Sequence, residues 1–128
     1  MATSNDQIKF LDCPNAELSD ADICIVPLPF EATVSYGSGT AAGPESIIAA
    51  SAQVELWDDE LGFDLESLRY FTAAVIRPET NEAVDAYLNR VEAGVRELSG
   101  NGRLVIGIGG EHSLTPPLVF AAAEDGND

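Results

Sequence analysis

Short unbroken apolar runs alternate with amphipathic stretches along this chain, and their order predicts the architecture. Residues Asp22 to Leu28 contain the run ICIVPL, with no polar alternation. That is the pattern of a strand covered on both faces. A long loop follows, Pro29 to Gly43, carrying Gly37, Gly39 and Gly43 and the hydroxyl side chains of Thr33, Ser35 and Tyr36. Pro44 suits the first position of a helix. That helix is predicted to run to about Trp57, with Ile47, Ile48, Val54 and the intervening alanines facing inward. Asp58 to Ser67 is acidic and reads as irregular, and Tyr70 to Ile76 reads as a second strand ended by Arg77 and Pro78.

The strongest periodicity lies between Asn81 and Ser99. Val84, Tyr87, Leu88, Val91, Val95 and Leu98 form one helical stripe. Gly94 inside it costs roughly 1 kcal/mol relative to alanine, and Gly100 is a good helix stop. Arg103 to Ile108, RLVIGI, predicts a third buried strand. It runs into Gly109-Gly110-Glu111-His112-Ser113, after which Thr115 is a candidate N-cap and Pro116 opens another helix. Strands and helices therefore alternate, which predicts an α/β fold with a parallel sheet between helix layers, a three-layer α/β/α arrangement.

Composition narrows the function. A hydrophobic share of 45% fits a globular chain. Six Lys+Arg stand against 22 Asp+Glu, a formal charge of −16. Over 128 residues that is one uncompensated negative charge in every eight. Such a field repels phosphate backbones and anionic lipid heads, excluding nucleic-acid and membrane-surface partners, and attracts metal ions and cationic small molecules. Lys9 is the sole lysine, and an acid-rich, lysine-poor surface also suits a high-salt environment. Cys13 and Cys24 lack metal-finger spacing and make no disulfide framework; Cys24 reads as a small buried hydrophobe. The polar start, Met1 to Lys9, has no signal-peptide pattern, and no apolar stretch approaches the ~20 residues that span a bilayer. A cytoplasmic location is expected.

Ligands of open α/β sheets bind beyond the carboxyl ends of the strands. The loops Pro29–Gly43 and Gly109–Thr115 occupy such positions, and the second holds the sole histidine, His112. The preceding glycines let the backbone turn sharply off the strand and leave room beside the imidazole. From spacing alone His112 is either a metal ligand or catalytic group, or a histidine that hydrogen-bonds within its loop. A dinucleotide fingerprint starting at Gly107 would need glycine where His112 stands, and no Gly-Lys-Ser/Thr phosphate loop occurs. Asp58-Asp59-Glu60 reads as a solvated acidic run, and Ser113 has no second histidine to activate it.

The stretch from Pro29 to Thr40, PFEATVSYGSGT, followed by Gly43-Pro44, resembles the first loop of the ureohydrolases, closest to the agmatinase branch of the arginase/agmatinase superfamily. Residues 49–58, AASAQVELWD, resemble the helix that follows in that branch, and Gly109-Gly110-Glu111-His112-Ser113-Leu114-Thr115 resembles the family's first metal motif. The likeness covers about Asp22 to Ala123 and implies an arginase-like sheet. It also implies a pair of Mn²⁺ ions that activate a bridging water for attack on a guanidinium carbon, chemistry that offsets the poor electrophilicity of that carbon. For agmatine the products are putrescine and urea, a polyamine-forming reaction. The resemblance makes His112 a metal ligand and gives Glu111 none of that role. It places Thr33, Ser35, Tyr36 and Gly39 at the mouth of the active site, with Gly109, Gly110, Glu111 and Ser113 around the ligand. A cationic guanidino compound is the implied small-molecule partner, and a homo-oligomer the implied full-length assembly.

The family's other ligands belong to an Asp-x-His-x-Asp motif and an Asp-x-Asp pair, and neither is present. A sheet of about eight strands at roughly 30 residues per βα unit needs some 240 residues. Residues 1–128 are therefore expected to be the N-terminal portion of a single ureohydrolase domain, with about three strands, cut before Asp-x-His-x-Asp and inactive alone. The alternatives are a non-catalytic short paralogue or binding module, or another ureohydrolase such as arginase, guanidinobutyrase or formiminoglutamate hydrolase. A last strand without later neighbours would leave an unpaired apolar edge, an aggregation hazard.

Overall fold

The computed structural model describes residues 9–123. Its elements follow the predicted alternation: β1 (Ile23–Leu28), α1 (Gly43–Ser51), β2 (Trp57–Asp58), β3 (Phe63–Asp64), β4 (Tyr70–Thr72), α2 (Val84–Leu98), β5 (Leu104–Gly109) and α3 (Thr115–Ala123). The main sheet is parallel, in the order β4-β1-β5. Ile23 stands opposite Tyr70 on one side and Leu104 on the other. The apolar run of β1 thus fills the centre of the sheet, and Cys24, Ile25, Val26 and Leu28 are all fully buried. Cys24, Val26 and Leu28 pack with Tyr87, Val91 and Val95 of α2 and Ala121 of α3. Ile25, of opposite parity, is buried on the face of α1 with Ile48. Burial pushes the Cys24 thiol up to about 11, which leaves it the inert hydrophobe expected.

The α2 stripe is realised in its centre. Tyr87, Val91 and Val95 are buried and Leu88 and Leu98 pack partly against them, while Val84 at the helix start is exposed. The Tyr87 ring stacks on Phe30 with centroids 4.4 Å apart, and its hydroxyl donates to the Ile76 carbonyl at 2.7 Å. A Cβ at Gly94 would lie 3.0 Å from Ile76 Cδ1, the tip of a flexible side chain that can give way.

Four expectations need correction. The first helix ends at Ser51, not near Trp57, and Ile47 and Val54 are exposed. Ser51 Oγ donates back to the Ile48 carbonyl (2.6 Å) and accepts from the Leu11 amide (2.8 Å), docking the helix end on residues 10–12. Trp57 then begins an antiparallel hairpin with Phe63–Asp64, so part of the acidic stretch read as irregular is strand. Regular pairing of β4 stops at Thr72, short of Ile76. The carbonyls of Ile25 and Pro27 both face β4, accepting from Ala73 and Ile76 (2.8 and 3.2 Å). The missing N–H of Pro27 falls on that same side and interrupts the ladder. Finally, Thr115 has helical backbone angles and is the first residue of α3, not a cap outside it.

The two outer strands differ in their edges. Residues 10–16 cover β4: the Ala16 amide bonds the Tyr70 carbonyl at 2.8 Å, and Asn15 Oδ1 accepts from the Thr72 amide at 2.9 Å. Among the described residues no strand pairs the far side of β5, where Leu104 and Ile106 are 57% and 38% exposed.

Candidate active site

The site grows out of the β1–β5 ladder, which continues past both strands. The Gly110 amide donates to the Leu28 carbonyl and the Glu111 amide to the Phe30 carbonyl, each at 3.0 Å. Gly110 is required by that approach and not by a turn, because a Cβ would overlap the Phe30 carbonyl oxygen. Gly110 therefore serves backbone contact between two strands, a different reason from the sharp turn expected of these glycines, while a Cβ at Gly109 would meet the Leu114 side chain.

Glu111 is the buried acid of the region, 7% exposed. One carboxylate oxygen accepts from the amides of Ala32 (2.9 Å) and Thr33 (3.1 Å). The other accepts from the Thr33 amide (2.9 Å) and the Thr33 hydroxyl (2.7 Å). Burial pushes this carboxyl up, but the bonds from Ala32 and Thr33, with help from the nearby Ser113 hydroxyl, outweigh it and hold the group below the usual glutamate range. Glu31 closes the other end of the first loop. Its carboxylate accepts from the amides of Gly39 (2.9 Å) and Ala41 (3.1 Å), with Gly39 left-handed at φ 106°.

Between these two anchors and the end of β5 lies a cavity of about 400 Å³. Thr33, Ser35, Tyr36, Gly110, Glu111, His112 and Ser113 border it, as do Val34 and Thr40. Among the described residues no lysine or arginine lines it. Tyr36 is fully exposed, and His112, at the start of the single turn His112–Leu114, is also exposed. Gly39 is absent from this wall and acts through Glu31, while Gly109 lies on a second cavity of about 220 Å³. That second cavity runs beside the open edge of β5 and also contains His112. The two clamps, Glu31 on Gly39 and Glu111 on Ala32–Thr33, were missed from the sequence. Their partners lie 8 and 78–79 residues away, and no local spacing signals them.

Among the described residues no three His, Cys, Asp or Glu side chains cluster in a way that could hold a metal ion. His112 offers one imidazole, and both oxygens of Glu111 are occupied by the loop. The described residues do not make a metal centre by themselves.

The parallel sheet, with a polar cavity off the carboxyl ends of its strands and one histidine on the rim, defines an α/β protein with a cavity at the position where such sheets bind ligands. The family model described as the arginase family matches residues 21–128, and the chain belongs to that family. It is 37% identical over 107 residues to the N(1)-aminopropylagmatine ureohydrolase of Synechocystis, covering 80% of this chain and 35% of that protein. The crystal structure of the agmatine ureohydrolase of Thermoplasma volcanium matches with a TM-score of 0.74 and 29% identity, over 90% of this chain and 38% of that one. A formiminoglutamase of Trypanosoma cruzi solved with Mn²⁺ matches in fold (TM-score 0.73, 22% identity, 89% of this chain, 40% of that one). The chain thus spans little more than a third of the length of the relatives it matches. The arginase-like α/β fold is as expected. No described helix is long and apolar enough to cross a membrane.

Proposed function

We propose that the chain is the N-terminal portion of an agmatinase-like ureohydrolase, a single domain continuing beyond these residues into the Asp-x-His-x-Asp segment. The reaction is hydrolysis of a guanidinium C–N bond, agmatine and water giving putrescine and urea. The observation that carries this reading is the pairing of His112 on the β5 turn with a first loop clamped beside it, around one polar cavity. In the whole enzyme His112 would hold a pair of Mn²⁺ ions together with ligands of the Asp-x-His-x-Asp segment, and the chemistry supplied would be activation of a water. Imidazole with carboxylates is a suitable set for Mn²⁺.

The charge pattern supports a cationic guanidino substrate. The buried Glu111 carboxylate contributes a negative charge to the cavity wall, and among the described residues no lysine or arginine on that wall neutralises it. A guanidinium ion gains from that field and an acidic substrate does not. The full-length protein is proposed to be a cytoplasmic homo-oligomer.

Sequencing the gene past codon 128 tests the reading. A frame that continues into Asp-x-His-x-Asp is expected; a stop codon at this point, retained in related genes, would contradict it in favour of a non-catalytic short form. With Mn²⁺ and agmatine, the 128 residues alone are expected to release no urea.

A further inference from the structure

We infer that Glu111 is a positioning residue, whose buried carboxylate fastens the first loop at Ala32 and Thr33 to the turn that carries His112. The geometry is specific. Both oxygens are used, three donors converge on them, and the partners come from the far end of a different βα unit. The carboxylate of a residue 7% exposed, with no lysine or arginine among the described residues of the same cavity wall, is tolerated only where donors compensate it. Burial of the charge and closure of the loop therefore require each other. Glu31 ties Gly39 and Ala41, so the loop is pinned at both ends, and the exposed Tyr36 projects from a held segment.

An amide replaces this acid only in part. Glutamine could keep its oxygen on the Ala32 and Thr33 amides and donate to the Thr33 hydroxyl, which can turn to accept. Its NH₂ would face the Thr33 amide where the second carboxylate oxygen accepts, and the charge would be lost. That distinguishes a clamp from simple space-filling, because Glu111→Gln preserves volume. The clamp stands on geometry alone. Its role as the substrate-side wall rests on the ureohydrolase reading above.

Amide hydrogen exchange on the full 128-residue chain tests it, comparing residues 32–33 with β1. In the native chain Ala32 and Thr33 are expected to exchange at least about tenfold more slowly than free amides, since each is hydrogen-bonded. Glu111→Gln is expected to remove about tenfold of that protection at residues 32–33 and leave Ile25 and Val26 within about threefold. Thr33→Val, which spares the carboxylate, should cause a smaller loss at the same residues, and Thr33→Ser should keep native exchange. A general destabilisation would move β1 and the loop together, and that result overturns the inference. So do native Ala32 and Thr33 amides exchanging at free rates, or rates unchanged in Glu111→Gln. Joining the chain to the remaining two thirds of the Synechocystis relative adds a kinetic arm. There Glu111→Gln should raise KM for the guanidino substrate by about tenfold, and an unchanged KM overturns the wall role. If the native fusion releases no urea while residues 32–33 stay protected, the ureohydrolase reading fails and the clamp survives.

Discussion

The sharpest structural prediction concerns Gly110, because the cost of one methyl group there depends entirely on what it meets. A Cβ at Gly110 would overlap the Phe30 carbonyl oxygen and sit 3.0 Å from the Phe30 carbonyl carbon and nitrogen. Backbone cannot rotate aside, so β1 and β5 must part beyond Leu28. That strains the bonds from Gly110 to Leu28 and from Glu111 to Phe30. Two backbone bonds are worth about 2 kcal/mol together, and overpacking adds about 1–3 kcal/mol. The entropy lost from the unfolded chain returns only about 0.4–1 kcal/mol. Gly110→Ala should therefore destabilise by about 3 kcal/mol, lowering the unfolding midpoint by roughly 10 °C. Gly107 is the control. Its added Cβ would meet the two Leu118 methyls at 2.7 and 2.9 Å and Cγ at 3.4 Å, but these belong to one side chain that can turn aside, not to backbone. Gly107→Ala should stay within about 1 kcal/mol of wild type. Urea denaturation at low protein concentration measures both. A Gly110→Ala chain within about 0.5 kcal/mol of wild type, or a costlier Gly107→Ala, would refute the reasoning.

Three further outcomes follow from the same contacts. Burial raises the Tyr87 hydroxyl to about 12, countered only partly by Arg90, so the unfolded chain ionises first and stability should fall from pH 10 to about 12. Tyr87→Phe should make that alkaline fall shallower, the raised Cys24 and Tyr70 keeping a share of it, and cost about 1 kcal/mol at neutral pH through the lost bond to Ile76; an unchanged slope in melts across this range counts against it. The hydrogen-bonded Arg90 guanidinium holds Glu82 at about 2, so its stabilisation is present above the ordinary 4.5 and lost as pH falls toward 2. Glu82→Gln should flatten that acid limb in the same melts. The bare β5 edge should drive self-association, and Leu104→Lys with Ile106→Lys should reduce it in sedimentation runs; equal association in the double variant would place the contact elsewhere.

What was legible in the sequence was what is encoded locally. The unbroken runs of β1 and β5 identify strands whatever their neighbours, and the Tyr87–Val91–Val95 spacing identifies a helix face. The failures are nonlocal. Residues 52–57 are compatible with a helix, and only docking of Ser51 on residues 10–12 and pairing of Trp57 with Asp64 end it. Strand β4 is cut short by a proline in β1, a residue nothing in β4 reveals. The same holds at the site. His112 was found through its motif, whereas the work of Glu111 and the need for Gly110 depend on backbone from the first loop, about 80 residues earlier.

The central claim is that His112 and the first loop form one part of a ureohydrolase centre. It is tested most directly by urea release from agmatine and N(1)-aminopropylagmatine in the presence of Mn²⁺, with this chain joined to the remaining two thirds of the Synechocystis ureohydrolase. The fusion is expected to release urea, and His112→Ala to lower the rate by about 100-fold or more, as loss of a direct ligand should exceed loss of its supporting partner. Undiminished urea release from His112→Ala would contradict the claim.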